Sequence, residues 1–195
     1  MDFDFRNDKS RIPYAYVGGN GHVVFIKAGK GGSYSGYADK YLRIARGLNE
    51  RYGYTVICVS NPTEECETLT DADILAEVTA TLGIDSPSIS LMGVSNGGVR
   101  VLQLASTADN VRRILLVNMP LMINFHKTKK YLEGITGART TLLYGERDPS
   151  FPYLAFIENK HLSHVDIITA PNADHNFTDM TDELVATAIE ALALE

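Results

Sequence analysis

The chain has 195 residues, 45% hydrophobic and 22% charged, with a formal net charge of −6. That length suffices for one domain with a full apolar core that needs no metal or disulfide staple. The charge argues against a generic nucleic-acid binder, which needs a basic face, and no apolar run approaches the length of a membrane span.

In chain order, residues 2–6 alternate polar and apolar as a half-exposed strand does, residues 7–10 form a turn, and residues 12–17 read as a second strand. Together with the turn Gly18-Gly19-Asn20-Gly21 they suggest an antiparallel hairpin at one sheet edge. The start has neither the basic segment nor the apolar core of a signal peptide. Residues 22–28 form a solid apolar strand, and residues 37–51 a helix with Tyr37, Tyr41, Ile44, Ala45 and Leu48 at helical spacing. A β-branched strand over 54–59 carries Cys58. The other cysteine, Cys66, lies in the polar loop with Glu64, Glu65 and Glu67, and a disulfide between the two is not expected. A reduced, cytoplasmic protein is the expectation.

Thr70 is placed to cap a helix over 71–82. Strand 89–92, helix 99–108, strand 111–117, an irregular helix over 121–134, strand 140–144, a short helix over 152–159, strand 165–169 and helix 181–194 complete the chain. Continuous apolar strands alternating with amphipathic helices mean a parallel sheet covered on both faces. The fold class is therefore α/β: a mostly parallel eight-stranded sheet with an N-terminal antiparallel hairpin, in a single domain over 1–195. No repeat or linker interrupts it.

Gly93-Val94-Ser95-Asn96-Gly97 reads G-x-S-x-G between an apolar strand and a helical stretch. A strand-to-helix turn this sharp strains the serine backbone and leaves room only for small neighbours two residues to each side. It presents the hydroxyl at a helix N-terminus, where N–H groups and the dipole stabilise negative charge. The bland alternative is a glycine-rich loop. A serine hydroxyl needs a base and an acid to orient that base, and in a parallel sheet these belong at the carboxyl ends of strands. Glu146 and Asp148 follow the strand 140–144, and Asp174 and His175 follow the last strand. His22, His126, His161 and His164 do not lie past the last strand, which favours His175 as the base. Asp174 suits a loop cap. Gly29-Lys30-Gly31-Gly32-Ser33 lacks the spacing of a phosphate loop, and no Cys or His cluster suggests a metal.

With the serine motif, Gly145-Glu146-Arg147-Asp148-Pro149 and Asp174-His175-Asn176-Phe177 in the order Ser, Asp, His, the chain resembles the α/β-hydrolase superfamily over nearly its whole length. The resemblance implies that Ser95 is a nucleophile, His175 its base and Asp148, before Pro149, the orienting acid. It implies that the backbone N–H groups of Asn96 and Lys30 form an oxyanion hole. One departure is Ala28-Gly29, where the family often has His-Gly; it leaves the second donor open between Lys30 and Gly31.

The implied chemistry is hydrolysis of a carboxylic ester or related acyl bond through an acyl-serine, with no metal or organic cofactor. Residues 118–138 leave room for a short lid at most, so an open site for a small-molecule acyl substrate is expected. Lys30, Gly31, Lys127 and Lys130 are expected near its rim, where lysines would favour an anionic substrate unless residues 64–67 cancel their field. A thioesterase acting on a carrier-bound or CoA acyl group is the second enzyme reading. A non-catalytic ligand-binding protein that keeps the fold is the reading from another class. No nucleic-acid or membrane partner is expected, and the oligomeric state is not read from the sequence.

Overall fold

The computed structural model describes residues 2–7, 12–63 and 70–194. Most of the expected turn at 7–10, and the whole loop 64–67 with Cys66, lie outside the described residues. Among those described, eight strands form one sheet: β1 (Asp4–Arg6), β2 (Tyr14–Val17), β3 (His22–Lys27), β4 (Thr55–Val59), β5 (Ser88–Val94), β6 (Val111–Val117), β7 (Arg139–Gly145) and β8 (Val165–Ala170). Their order across the sheet is β1-β2-β4-β3-β5-β6-β7-β8. β1 and β2 are the antiparallel hairpin and β2 meets β4 antiparallel; every other pair is parallel.

Six helices among the described residues cover the sheet: α1 (Lys40–Tyr52), α2 (Asp71–Thr81), α3 (Asn96–Ala105), α4 (Leu121–Gly134), α5 (Leu154–Glu158) and α6 (Thr181–Leu192). The two-residue period of the strands divides the core into two layers. Phe25, Ile57, Leu91, Leu116 and Leu142 pack with Ile74, Leu102, Leu132 and Leu154 from α2 to α5. Ile26, Cys58, Met92, Leu115 and Leu143 face the other way, against Ile44 and Leu48 of α1 and Leu184 and Ile189 of α6. Each such side chain contributes about 1.5–3 kcal/mol by leaving water. Cys58 is a fully buried free thiol. Among the described residues no helix is long and apolar enough to cross a membrane.

Local chemistry sets the helix ends. Thr70 accepts from the amide of Asp73 at 3.2 Å, and the Asp73 carboxylate accepts from the amide of Thr70 at 2.8 Å, a reciprocal cap worth about 1 kcal/mol. The stretch 37–51 differs from the continuous helix expected. Tyr37–Asp39 makes a separate 3-10 turn, with Ala38 and Asp39 at φ 51° and 53°, so α1 starts afresh at Lys40. Helix α3 starts three residues before the expected 99, directly after Ser95.

One buried ion pair ties the sheet to α2. The Lys27 ammonium, at the end of β3, donates to the Asp71 carboxylate at 2.6 Å and to the Ser60 carbonyl at 2.8 Å. Arg100 of α3 reaches the same carboxylate at 3.3 Å. The acid sits in the first turn of α2, where it also meets the positive end of the helix dipole.

Candidate active site

The end of β5 and the start of α3 are pressed against the end of β3. A Cβ on Gly97 would lie 2.5 Å from the carbonyl oxygens of both Lys27 and Ala28, and one on Gly93 would lie 2.5 Å from the Gly97 carbonyl oxygen. The two glycines are therefore set by space; neither has a positive φ. Between them Ser95 takes φ 51° and ψ −126°, a conformation that costs a side-chain-bearing residue about 1–3 kcal/mol. Its amide is tied to the Val117 carbonyl at 2.8 Å, and its own carbonyl accepts from Gly98 at 2.9 Å. The hydroxyl is thereby fixed at the N-terminus of α3.

The structure brings Ser95, His175 and Asp148 together. His175 Nε2 lies 3.0 Å from Ser95 Oγ, and His175 Nδ1 lies 2.5 Å from Asp148 Oδ2. The Asp148 carboxylate is buried and its other oxygen accepts from the Ser150 amide at 2.7 Å, while 40% of the His175 side chain is exposed. The hydrogen bond to Asp148 raises the His175 pKa above the ordinary histidine value, against burial, which lowers it.

The other candidates lie elsewhere. Glu146 accepts from the Asn172 amide at 3.2 Å, and Asp174 accepts from the amides of Asn176 and Thr178, which hold its pKa low. His22 bonds to Ser90 in the core, His164 to the Leu132 carbonyl, and His126 and His161 are exposed. Among the described residues no three His, Cys, Asp or Glu side chains converge as a metal site would require.

Asn118 is a site residue that the sequence reading missed. Fully buried just past β6, it donates to the carbonyls of Asp174 and His175 at 3.1 and 2.9 Å and accepts from the Gly145 amide at 2.9 Å. One side chain thus clamps the histidine loop to the end of β7. Its signal was positional: a polar residue directly after an apolar strand, at the carboxyl edge of the sheet.

The loop after β3 lies against the serine, where a Cβ on Gly29 would stand 3.2 Å from Ser95 Cβ. Gly31 turns at φ 75° and gives its amide to the Asn61 carbonyl at 2.6 Å; Gly32 gives its own to Gly29 at 2.8 Å. Of the two amides left open by the sequence, that of Gly31 is thus committed to Asn61, in the segment after β4. Asn61 also donates its side-chain amide to the Ala28 carbonyl at 3.1 Å, and reaches Asn96 Oδ1 at 3.5 Å.

Ser95 and His175 open into a cavity of about 350 Å³, walled by Lys30, Tyr37, Lys40 and Tyr41 among others. A larger cavity, about 750 Å³, lies at the opposite ends of the strands, beside Asn110, Val111 and Ala138. Lys127 and Lys130 line this second cavity and not the one at Ser95, contrary to the expected rim. The reason is the direction of α4: its start touches the site through the Met122 amide and Ser150 Oγ, 3.5 Å, and the helix then runs away from it.

No protein-family model matches the chain, and no curated protein matches its sequence. Solved structures do match. Est1E from Butyrivibrio proteoclasticus superposes with a TM-score of 0.69 at 14% identity, covering 97% of each chain. The dienelactone hydrolase from Anabaena variabilis gives 0.71 at 18% identity, covering 98% of this chain and 97% of that one. An alpha-beta serine hydrolase homologue from Coxiella burnetii gives 0.68 at 15% identity over 98% and 97%. Order of strands, hairpin at the edge, helices on both faces and near-complete coverage agree: the chain has the α/β-hydrolase fold.

Proposed function

We propose that the chain is a serine hydrolase that cleaves a carboxylic ester or related acyl bond through an acyl-serine at Ser95. The observation that carries this is the continuous hydrogen-bonded series from Ser95 Oγ through the His175 ring to the buried Asp148, at the mouth of a cavity. In this reading His175 Nε2 takes the hydroxyl proton as Oγ attacks the carbonyl carbon. The Nδ1–H stays bonded to Asp148, which stabilises the imidazolium that forms. The tetrahedral oxyanion is held by the amides of Asn96, at the start of α3, and Lys30; each such donor is worth about 3 kcal/mol of barrier. The imidazolium then protonates the departing alcohol, and a water deprotonated by the same ring releases the acid. Likeness in fold to the dienelactone hydrolase and to the serine hydrolase homologue supports the reading.

A fluorophosphonate probe tests it. Wild type is expected to label at Ser95, Ser95→Ala not at all, and His175→Ala at least about 10³-fold more slowly. A panel of acyl esters and thioesters then separates esterase from thioesterase. A wild type that stays silent while a reference serine hydrolase labels would leave a ligand-binding protein with a hydrolase fold.

A further inference from the structure

Among the described residues, Lys40 is the one strongly buried cation on the wall of the serine's cavity, 6% exposed. The break at Ala38 and Asp39 makes it the first residue of α1, where it is buried. Its ammonium makes a single long hydrogen bond, 3.5 Å, to the carbonyl of Asn176, the residue after His175. It also lies 5.5 Å from the centre of the Tyr41 ring. Among the described residues no carboxylate comes within ion-pair distance of it; Asp174 acts on it from further away. An ammonium taken from water needs about three acceptors or a counter-ion. This one has neither among the described residues, and burial accordingly draws its pKa below the usual lysine value. The described walls of the cavity hold a second lysine, Lys30 at the exposed lip, and no Asp or Glu. In a chain of net charge −6 the only formally charged side chains on the described cavity walls, histidine aside, are thus cationic, while the carboxylates of Asp148 and Asp174 act from outside the lining.

We infer that Lys40 is the specificity-determining residue of this cavity, and that it binds a free carboxylate carried on the acyl group, so that the preferred substrate is the monoester of a dicarboxylic acid. The inference rests on Ser95 being the nucleophile. A carboxylate fits better than a phosphate: one compact ammonium in a small cavity matches one negative charge, and the described walls hold no arginine fork for a dianion. The absence of a paired acid among the described residues leaves the ammonium ready for the substrate's own.

The test compares two p-nitrophenyl esters of nearly equal shape, the butyrate and the monoester of succinate, with the valerate and glutarate pair as a longer set. Wild type is expected to favour the carboxylate-bearing ester at least about tenfold in kcat/KM, chiefly through KM. The preference should fall to about one in Lys40→Met and return in part in Lys40→Arg. If Lys40 only props the histidine loop, both esters lose rate together and the ratio does not move; that result, or a wild-type ratio near one, overturns the inference. Binding without turnover is read separately, by calorimetry of monomethyl glutarate against dimethyl glutarate on Ser95→Ala. Binding of the monoester should vanish when Lys40→Met is added, and inorganic phosphate competing as well as the monoester would overturn the choice of a carboxylate. Lys40-dependent binding in a wild type that fluorophosphonate does not label would sink the hydrolase reading, and with it the assignment of a substrate, and would leave Lys40 as the carboxylate contact of a binding site. Labelling with no preference and no such binding would sink this inference alone.

Discussion

Gly97→Ala is the sharpest perturbation this structure offers, because it adds one methyl group between the two segments that carry the proposed oxyanion donors. In an ordinary helix the change gains up to about 1 kcal/mol. Here the new Cβ would stand 2.5 Å from the carbonyl oxygens of Lys27 and Ala28, where ordinary contact starts at 3.4 Å. Both obstacles are backbone, so no side chain rotates out of the way. The start of α3 and the end of β3 must separate by about 0.9 Å, the shortfall between those two distances. Overpacking of this kind costs about 1–3 kcal/mol, and each kcal/mol lowers the melting temperature of a chain this size by about 2–4 °C. The larger effect is on chemistry: moving the Asn96 amide relative to Lys30 by nearly 1 Å should slow fluorophosphonate labelling by about 10²-fold. Gly134→Ala, at the end of α4 with nothing within 4 Å of the added Cβ, is the control: it should leave labelling unchanged and hold or raise stability, by up to about 1 kcal/mol. A Gly97→Ala protein that melts and labels like wild type would refute the argument that close approach, and not helix propensity, fixes this glycine.

The site supports two further expected outcomes. Asp148→Asn removes the carboxylate that raises the His175 pKa; since the neutral ring is the base, activity in the wild type should fall as pH drops through a pKa above 6.5, and in the variant the acid limb should move to lower pH with kcat/KM reduced about 10⁴-fold. A pH–rate profile that keeps its acid limb in place would count against the pairing. Asn118→Ala leaves the Gly145 amide and two carbonyls of the histidine loop without their partner; about 2–4 kcal/mol of stability should go, read by urea unfolding, with labelling slowed alongside. Loss of stability at full labelling rate would show that the clamp does not position His175.

Much of this was legible in the sequence because it is local. The serine turn is five consecutive residues whose sterics demand glycine at two of them, and the acid and histidine sit directly after strands with strong apolar signatures. The mostly parallel sheet and its hairpin are readable from the change between alternating and continuous apolar patterns. What stayed hidden depends on direction. The lysines of α4 were assigned by their distance along the chain to the end of β6, but a helix advances about 1.5 Å per residue and carries Lys127 and Lys130 away from the site. Lys40 was passed over because residues 37–51 read as one helix with tyrosines and aliphatics as its buried face. Yet Lys40 lies four and eight residues before Ile44 and Leu48, in register with that face, and the left-handed pair Ala38 and Asp39 is not visible in side-chain periodicity.

The histidine hangs from one partly exposed edge of the sheet. β8 is an edge strand whose residues are all at least partly exposed. The segment after it, which carries His175, is held chiefly by Asn118, by the tight contact of Gly145 with Ala173 and by α6 resting on α1. The serine, in contrast, stands on a central strand buried between two layers. The two halves of the proposed machinery therefore belong to regions of unequal local stability. Opening of the β8 edge would part base from nucleophile while β3 to β6 stayed folded, so activity would vanish in mild denaturant before the core melts, and the chain would carry an off state reached without global unfolding.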